Sequence, residues 1–186
     1  MTLYRVFPWA PRRFVRPLDV PRERQGANRH DNPDRYTALY LSREAESAVA
    51  EAIQAFRGRT LTDRDLERAD GRRLALAALD DAAVPPLVDL DDPTVLLAWS
   101  WRPSQVATRD RATTQAIARA LFDDGAAGCS WWSSLEASWT NVTLFGRRAG
   151  PMGLAAPVEP LTVMHPSLIA AARRLGVTLA PPEPIR

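Results

Sequence analysis

The chain has 186 residues, 46% of them hydrophobic and 25% charged, which is enough for one well-buried core. Its 24 basic against 22 acidic residues leave a formal charge of +2, too weak a field to gather nucleic acid unaided. Every basic residue is arginine, which excludes a Schiff-base lysine and a phosphate-loop lysine, and the single cysteine, Cys129, excludes an internal disulfide or a cysteine-built metal site.

In chain order, the alternation over residues 3–7 predicts an initial strand, followed by a Pro- and Arg-rich connection through Arg24. Residues 36–41 read as a second strand. Ser42 is then the expected N-cap of a helix whose apolar face is Ala45, Val49, Ala52, Ile53 and Phe56. Another helix is expected after Thr62, capped onto the turn that holds Asp65 and interrupted by Gly71 before 74–79, with Pro85-Pro86 ending that helical region. Residues 87–90 read as a short strand, and 95–101 fit either a buried strand or a short helix. Ala112, Ala116, Ile117, Ala120 and Leu121 mark an amphipathic helix ending near Gly125, and strands follow at 129–133 and 141–145.

Beyond Gly146 the composition turns to Gly, Ala and Pro. A last strand is expected at 161–164, Pro166 opens a helix ending at Gly176, and 177–186 read as a loose tail. Short strands interspersed with helices indicate an α+β fold, a single compact domain over 1–176 with a C-terminal extension at 147–176. No run approaches the ~20 apolar residues of a membrane span, and the N-terminus lacks the pattern of a signal peptide, so a cytoplasmic protein is expected.

Several chemistries find little support. No strand leads into a glycine-rich helix start, so a dinucleotide-binding loop is absent from the pattern. His30 and His165 stand far apart with no third ligand, so no metal is expected. Asn141-Val-Thr143 has the form of a glycosylation acceptor but reads as strand, and the six tryptophans suit a core or a ligand pocket.

The residues Gly26-Ala-Asn-Arg-His-Asp-Asn-Pro33, then Thr37-Ala-Leu-Tyr-Leu-Ser42, then Glu46-Ser-Ala-Val-Ala-Glu51 resemble the central motif of the RES domain family. Thr114-Gln-Ala-Ile-Ala-Arg-Ala-Leu121, Gly128-Cys-Ser-Trp-Trp-Ser133 and Asn141-Val-Thr-Leu-Phe145 follow in the family's order, so the resemblance spans residues 3–146. It implies a compact fold like that of the ADP-ribosyltransferases, with short mixed strands and flanking helices. It also implies the role of toxin in a bacterial toxin–antitoxin system, acting on NAD as a phosphorylase that forms nicotinamide and an ADP-ribose phosphate, or as a glycohydrolase-like enzyme. ADP-ribosyl transfer to a protein or nucleotide is the alternative within that resemblance, and a non-catalytic interaction module the alternative outside it.

Position by position, the family's arginine falls on Arg29, its strand tyrosine on Tyr40, its helical acid on Glu51 and its serine on Ser133, or on Ser134 if the last segment shifts by one. Arg29, Tyr40, Ser133 and Ser134 are then expected to bind NAD. An aromatic residue commonly follows the family arginine, where this chain has His30. Breaking the nicotinamide–ribose bond builds positive charge on the sugar, which a carboxylate such as Glu51 can stabilise. Arg29 suits a pyrophosphate, Tyr40 a ring, and Ser133 a phosphate oxygen or the nucleophile. Arg5 and Asn141 are weaker candidates for the cleft's border. NAD is implied as substrate and inorganic phosphate as co-substrate, with no cofactor. The implied partner is an Xre-like antitoxin, in a complex where the toxin can be a homodimer and touches neither nucleic acid nor membrane.

Overall fold

A computed structural model of the chain describes residues 2–10, 17, 18 and 20–182, apart from the Arg147 side chain. The strands and helices run in the order β1 (Thr2–Trp9), β2 (Ala38–Ser42), α1 (Ala45–Ile53), β3 (Thr60–Leu61), β4 (Arg73–Asp80), β5 (Val88–Asp89), α2 (Pro93–Ala98), α3 (Pro103–Ala107), α4 (Arg111–Asp123), β6 (Gly128–Trp132), β7 (Thr140–Phe145), β8 (Glu159–Pro160), α5 (Pro166–Leu175) and β9 (Thr178–Leu179). The fold class is α+β. The elements form two compact units, the first drawn from Met1–Pro17, Ser42–Asp80 and Gly153–Arg186, the second from Leu18–Leu41 and Asp81–Met152.

In the first unit, β1 pairs antiparallel with β4 from Thr2↔Asp80 to Trp9↔Arg73, and β8 extends β4. Helix α1 packs on β1 and on α5. Leu3, Val49, Ile53, Leu79 and Leu168 are all buried, so the inward faces of the strands and both helices share one apolar core. The run 74–79, expected to be helical, is instead β4. Leu74, Ala75, Leu76, Ala77 and Leu79 are all buried, and a strand covered on both faces shows no alternation to distinguish it from a helix.

Helix α1 stands where it was expected, with two corrections. Ser42 ends β2, so Glu44 is the N-cap, and it makes no side-chain cap. The buried residues are Ser47, Ala48, Val49, Ala50 and Ile53, whereas Ala52 is exposed, because two elements, β1 and α5, cover the helix and widen its buried face. The element after Thr62 is only a 3-10 turn, Asp63–Leu66. The reciprocal bonds between Thr62 and Asp65 close that turn but do not propagate it.

The strand expected at 161–164 is also absent. The ladder on β4 stops at Glu159–Pro160, and after Leu161 the chain turns, with His165 N bonded to Thr162 O, to enter α5. Thr178–Leu179, expected within the tail, pairs in parallel with Thr60–Leu61 as β9, and residues 183–186 lie outside the described residues.

The second unit has the strand order β5-β6-β7-β2, with β5 parallel to β6 and β6 antiparallel to β7. Gly128 is required where these strands meet, since a Cβ there would stand 2.2 Å from the Thr143 carbonyl oxygen. Leu90, Leu96, Val106, Ile117, Leu121, Trp131 and Phe145 are among the buried residues that join into one cluster. The ambiguous stretch near Val95 is helical, as α2. Asp92 accepts the Thr94 N–H and Pro93 supplies the fixed φ of a first helical residue. Helix α3, unforeseen from the sequence, is a single turn that also opens on a proline.

Candidate active site

The loop that carries Arg29 is held together by its own polar residues. Asp31 accepts from Gly26 N (2.8 Å), Asn28 N (2.9 Å) and Asn28 Nδ2 (3.0 Å) through Oδ2, and from the Tyr40 hydroxyl (2.7 Å) through Oδ1. The Tyr40 oxygen in turn accepts from the His30 backbone N–H at 2.9 Å. Helix α4 reaches the same loop: Gln115 Nε2 donates to the carbonyls of Gly26 and Asn28, while Asn32 Nδ2 donates to the carbonyl of Gln115. Tyr36 Oη donates to His30 O at 2.8 Å. A loop buried in this way survives only because its backbone groups are paired one by one.

His30 is 1% exposed. Its Nδ1 lies 2.8 Å from Thr143 Oγ1, which also accepts from Trp131 Nε1, and the Trp131 ring meets the imidazole edge-on. Burial, together with the positive charges of Arg29 and Arg111, lowers the His30 pKa to about 3, so the ring is neutral at physiological pH. Cys129, 4.0 Å from the same nitrogen, has its thiol pKa pushed up by burial. Burial is also the largest cause raising Tyr40, followed by the charge and hydrogen bond of Asp31.

Arg29 is buried as well. Its Nη1 donates to Val106 O at 2.6 Å and Thr108 O at 3.0 Å, the carbonyls at the end of α3, and its guanidinium carbon lies 4.8 Å from the Trp131 ring centre. A helix C-terminus and an aromatic face both favour a cation, so the charge is held in place by two elements, α3 and β6.

Ser133 follows Trp131 by two residues, just beyond β6. It is buried, its Oγ accepting from Leu135 N at 3.1 Å and its N–H donating to Trp139 O. Ser134 is exposed. Asn141 is buried on β7, in register with Trp131. Arg29, Tyr40 and Ser133 thus fall in the second unit. Glu51 falls in the first, half-buried on α1, with Oε2 accepting from Gln54 Nε2 at 2.9 Å; Arg5, also in the first unit, donates to Pro17 O.

Asp31, Trp131 and Thr143 were not singled out from the sequence. Asp31 had a readable signal, an acid set among Gly, Asn and Pro where a carboxylate commonly folds back on loop N–H groups. Thr143 had none, because only the strand register brings it to His30. Among the described residues, no group of three His, Cys, Asp or Glu is arranged to hold a metal ion.

The electrostatics restrict what this loop can do. His30, Tyr40 and Cys129 are all held in their neutral forms near pH 7, so none of the three suits general acid–base work there. Arg29 is therefore a fixed positive charge in an ordered setting, beside three groups that do not form a proton relay.

The family model of the RES domain matches residues 2–166. A chain in the crystal structure of the M. tuberculosis MbcT–MbcA toxin–antitoxin complex has a similar fold, with a TM-score of 0.61, 18% sequence identity, and coverage of 94% of this chain and 88% of that one. No curated protein matches the sequence.

Proposed function

The chain belongs to the RES domain family, and from that premise we propose that it is the toxin of a toxin–antitoxin pair and degrades NAD by phosphorolysis. The observation that carries this reading is the fixed charge of Arg29 among side chains that do not exchange protons near neutrality. In NAD the ring nitrogen of nicotinamide is already cationic. When the ribose C–N bond breaks, its electron pair neutralises that nitrogen and nicotinamide leaves without needing a proton. Inorganic phosphate is already an anion, so an oxygen of phosphate forms the new C–O bond at the anomeric carbon without a general base. Water as nucleophile would need one.

Within this reading Arg29 offers its charge to the pyrophosphate from a guanidinium oriented by α3 and Trp131. Tyr40 and Asp31 are positioning residues that hold the Arg29 loop, a different use of Tyr40 from a wall for a substrate ring. Ser133 bonds a phosphate oxygen, and Glu51 stabilises the oxocarbenium-like sugar. The similarity to a chain of a toxin–antitoxin complex supports an antitoxin partner, and the family resemblance supports one of Xre type.

The test is NAD turnover by the purified protein with and without inorganic phosphate, following nicotinamide by chromatography and the sugar phosphate by phosphorus NMR. Phosphate-dependent loss of NAD, with one ADP-ribose phosphate formed per nicotinamide, is expected. Free ADP-ribose formed independently of phosphate would instead mean hydrolysis, label transferred to protein would mean ADP-ribosylation, and intact NAD would end the enzymatic reading. In cells, induction of the chain alone should deplete NAD and arrest growth, and arrest at constant NAD would refute depletion as the cause.

A further inference from the structure

Helices α2 and α3 enclose an open cavity of about 470 Å³ in the second unit, lined by Pro93, Leu96, Trp101, Pro103, Trp132 and Asp91, with Leu97 at its edge. Leu97 is 79% exposed, more than the other exposed large apolar residues among those described, Leu154 and Met164. The backbone shapes this surface. Ser100 takes a left-handed φ of 55°, so that its N–H reaches Leu97 O and the Trp101 N–H reaches Leu96 O, the bonding pattern that usually has glycine at the left-handed position. This turn sets Trp101 beside Leu96 in the cavity wall and lets Trp99 and Trp101 stack, their ring centres 4.7 Å apart.

The charge in this cavity comes from one residue. Three acids lead into α2, and two are used locally: Asp89 accepts from Ser130 Oγ and Asp91 N, and Asp92 caps the helix at Thr94 N. Asp91 is exposed, and among the described residues its carboxylate has no partner. Among the described residues, it is the only acidic or basic side chain lining the cavity. Aliphatic walls, two indoles and a single carboxylate are complementary to a cation carried on an apolar stem. An apolar concavity open to solvent is also the usual form of a protein-recognition surface.

We propose that this cavity docks a protein segment bearing an arginine between aliphatic residues, the guanidinium pairing with Asp91 and packing on the indoles while the aliphatic neighbours cover Leu96 and Leu97. The proposal does not depend on the reaction assigned to Arg29 and Glu51.

The probe is the peptide acetyl-Leu-Arg-Leu-amide, compared with its citrulline counterpart, which keeps the shape and removes the charge. The indole N–H resonances of 15N-labelled protein, assigned through Trp101→Phe and Trp132→Phe, report the site. The arginine peptide should shift the Trp101 and Trp132 signals saturably, with a Kd at least about fivefold below that of the citrulline peptide, the size of one ion-pair or cation–π contact. Asp91→Asn, at an exposed position, should bring the two peptides to the same Kd. Equal affinities in the parent protein, saturable shifts confined to other indoles, or no shift at millimolar peptide would each overturn the proposal. So would a concentration-dependent shift of the same two signals without peptide, which would assign the cavity to a second copy of the chain.

Discussion

Replacing Tyr40 with phenylalanine removes one oxygen and tests whether that oxygen holds the Arg29 loop. The hydroxyl accepts from His30 N at 2.9 Å and donates to Asp31 Oδ1 at 2.7 Å, and both partners are 1% exposed. Leaving a buried polar group without its bond costs about 1–3 kcal/mol. The His30 N–H would bear that cost in full, whereas Asp31 keeps three donors on its other oxygen and bears less. The sum is about 2–4 kcal/mol, at the upper end of what single substitutions cause. For a chain of this length it corresponds to a fall in Tm of about 5–15 °C.

Urea unfolding followed by tryptophan fluorescence and circular dichroism measures the loss, and a cycle with Asp31→Asn isolates the pair. Asparagine can keep its oxygen toward the loop N–H groups and turn its amide toward the tyrosine. The two substitutions should therefore be non-additive, the double variant losing at least about 0.5 kcal/mol less than the sum. A loss below about 0.5 kcal/mol in Tyr40→Phe at unchanged m, or strict additivity, would show that the hydroxyl does not hold this loop.

His30 has a folded pKa of about 3, below its ordinary 6.5, so its contribution is fully present above pH 6.5 and is lost as pH falls toward 3. Across that window unfolding should become easier by up to about 1.4 kcal/mol per pH unit. His30→Phe should flatten this dependence, and identical slopes in parent and variant would refute it. Arg29→Lys keeps the charge but not the fork that reaches the Val106 and Thr108 carbonyls, so NAD affinity should fall about tenfold and the amides of 105–108 should exchange faster. Unchanged exchange and affinity would make Arg29 an ordinary loop residue. Glu51→Gln, at a half-buried helical position, should retain the fold and NAD binding while turnover drops by about two to three orders of magnitude, and turnover near that of the parent would remove Glu51 from the site. His165 caps α5 through Nδ1 on Ser167 N, so His165→Ala should cost about 1 kcal/mol and His165→Asn should recover most of it in thermal melts. Equal melts for all three would show the cap to be idle.

What the sequence reveals of this fold depends on how evenly each element is buried. Helices α4 and α5 carry one apolar face, with caps at Asp110 and His165 and a left-handed Gly176 after α5, and their positions are close to those read from the residues. Strand β4 has neighbours on both faces, so its apolar residues run together and the period that would distinguish strand from helix disappears. Strand β9 is two residues long and owes its existence to pairing with β3, a contact between positions more than a hundred residues apart that no local pattern contains.

The candidate site divides along the same line. The family resemblance singles out Arg29, Tyr40, Glu51 and Ser133, but it does not contain the bonds of Tyr40 and Arg29, which go to groups brought near by the fold. The family resemblance implies a flat wall for a ring at Tyr40; in the structure its hydroxyl stands in a chain of contacts from Asp31 through Tyr40 to the His30 backbone. The chemical consequence follows from burial rather than from residue type. A histidine, a tyrosine and a cysteine within one cluster would ordinarily invite an acid–base mechanism, yet desolvation holds each of them neutral near pH 7 while Arg29 keeps its charge over Trp131. Such a setting suits the proposed reaction, whose leaving group arrives already cationic and whose nucleophile arrives already anionic, since neither calls on His30, Tyr40 or Cys129 for a proton.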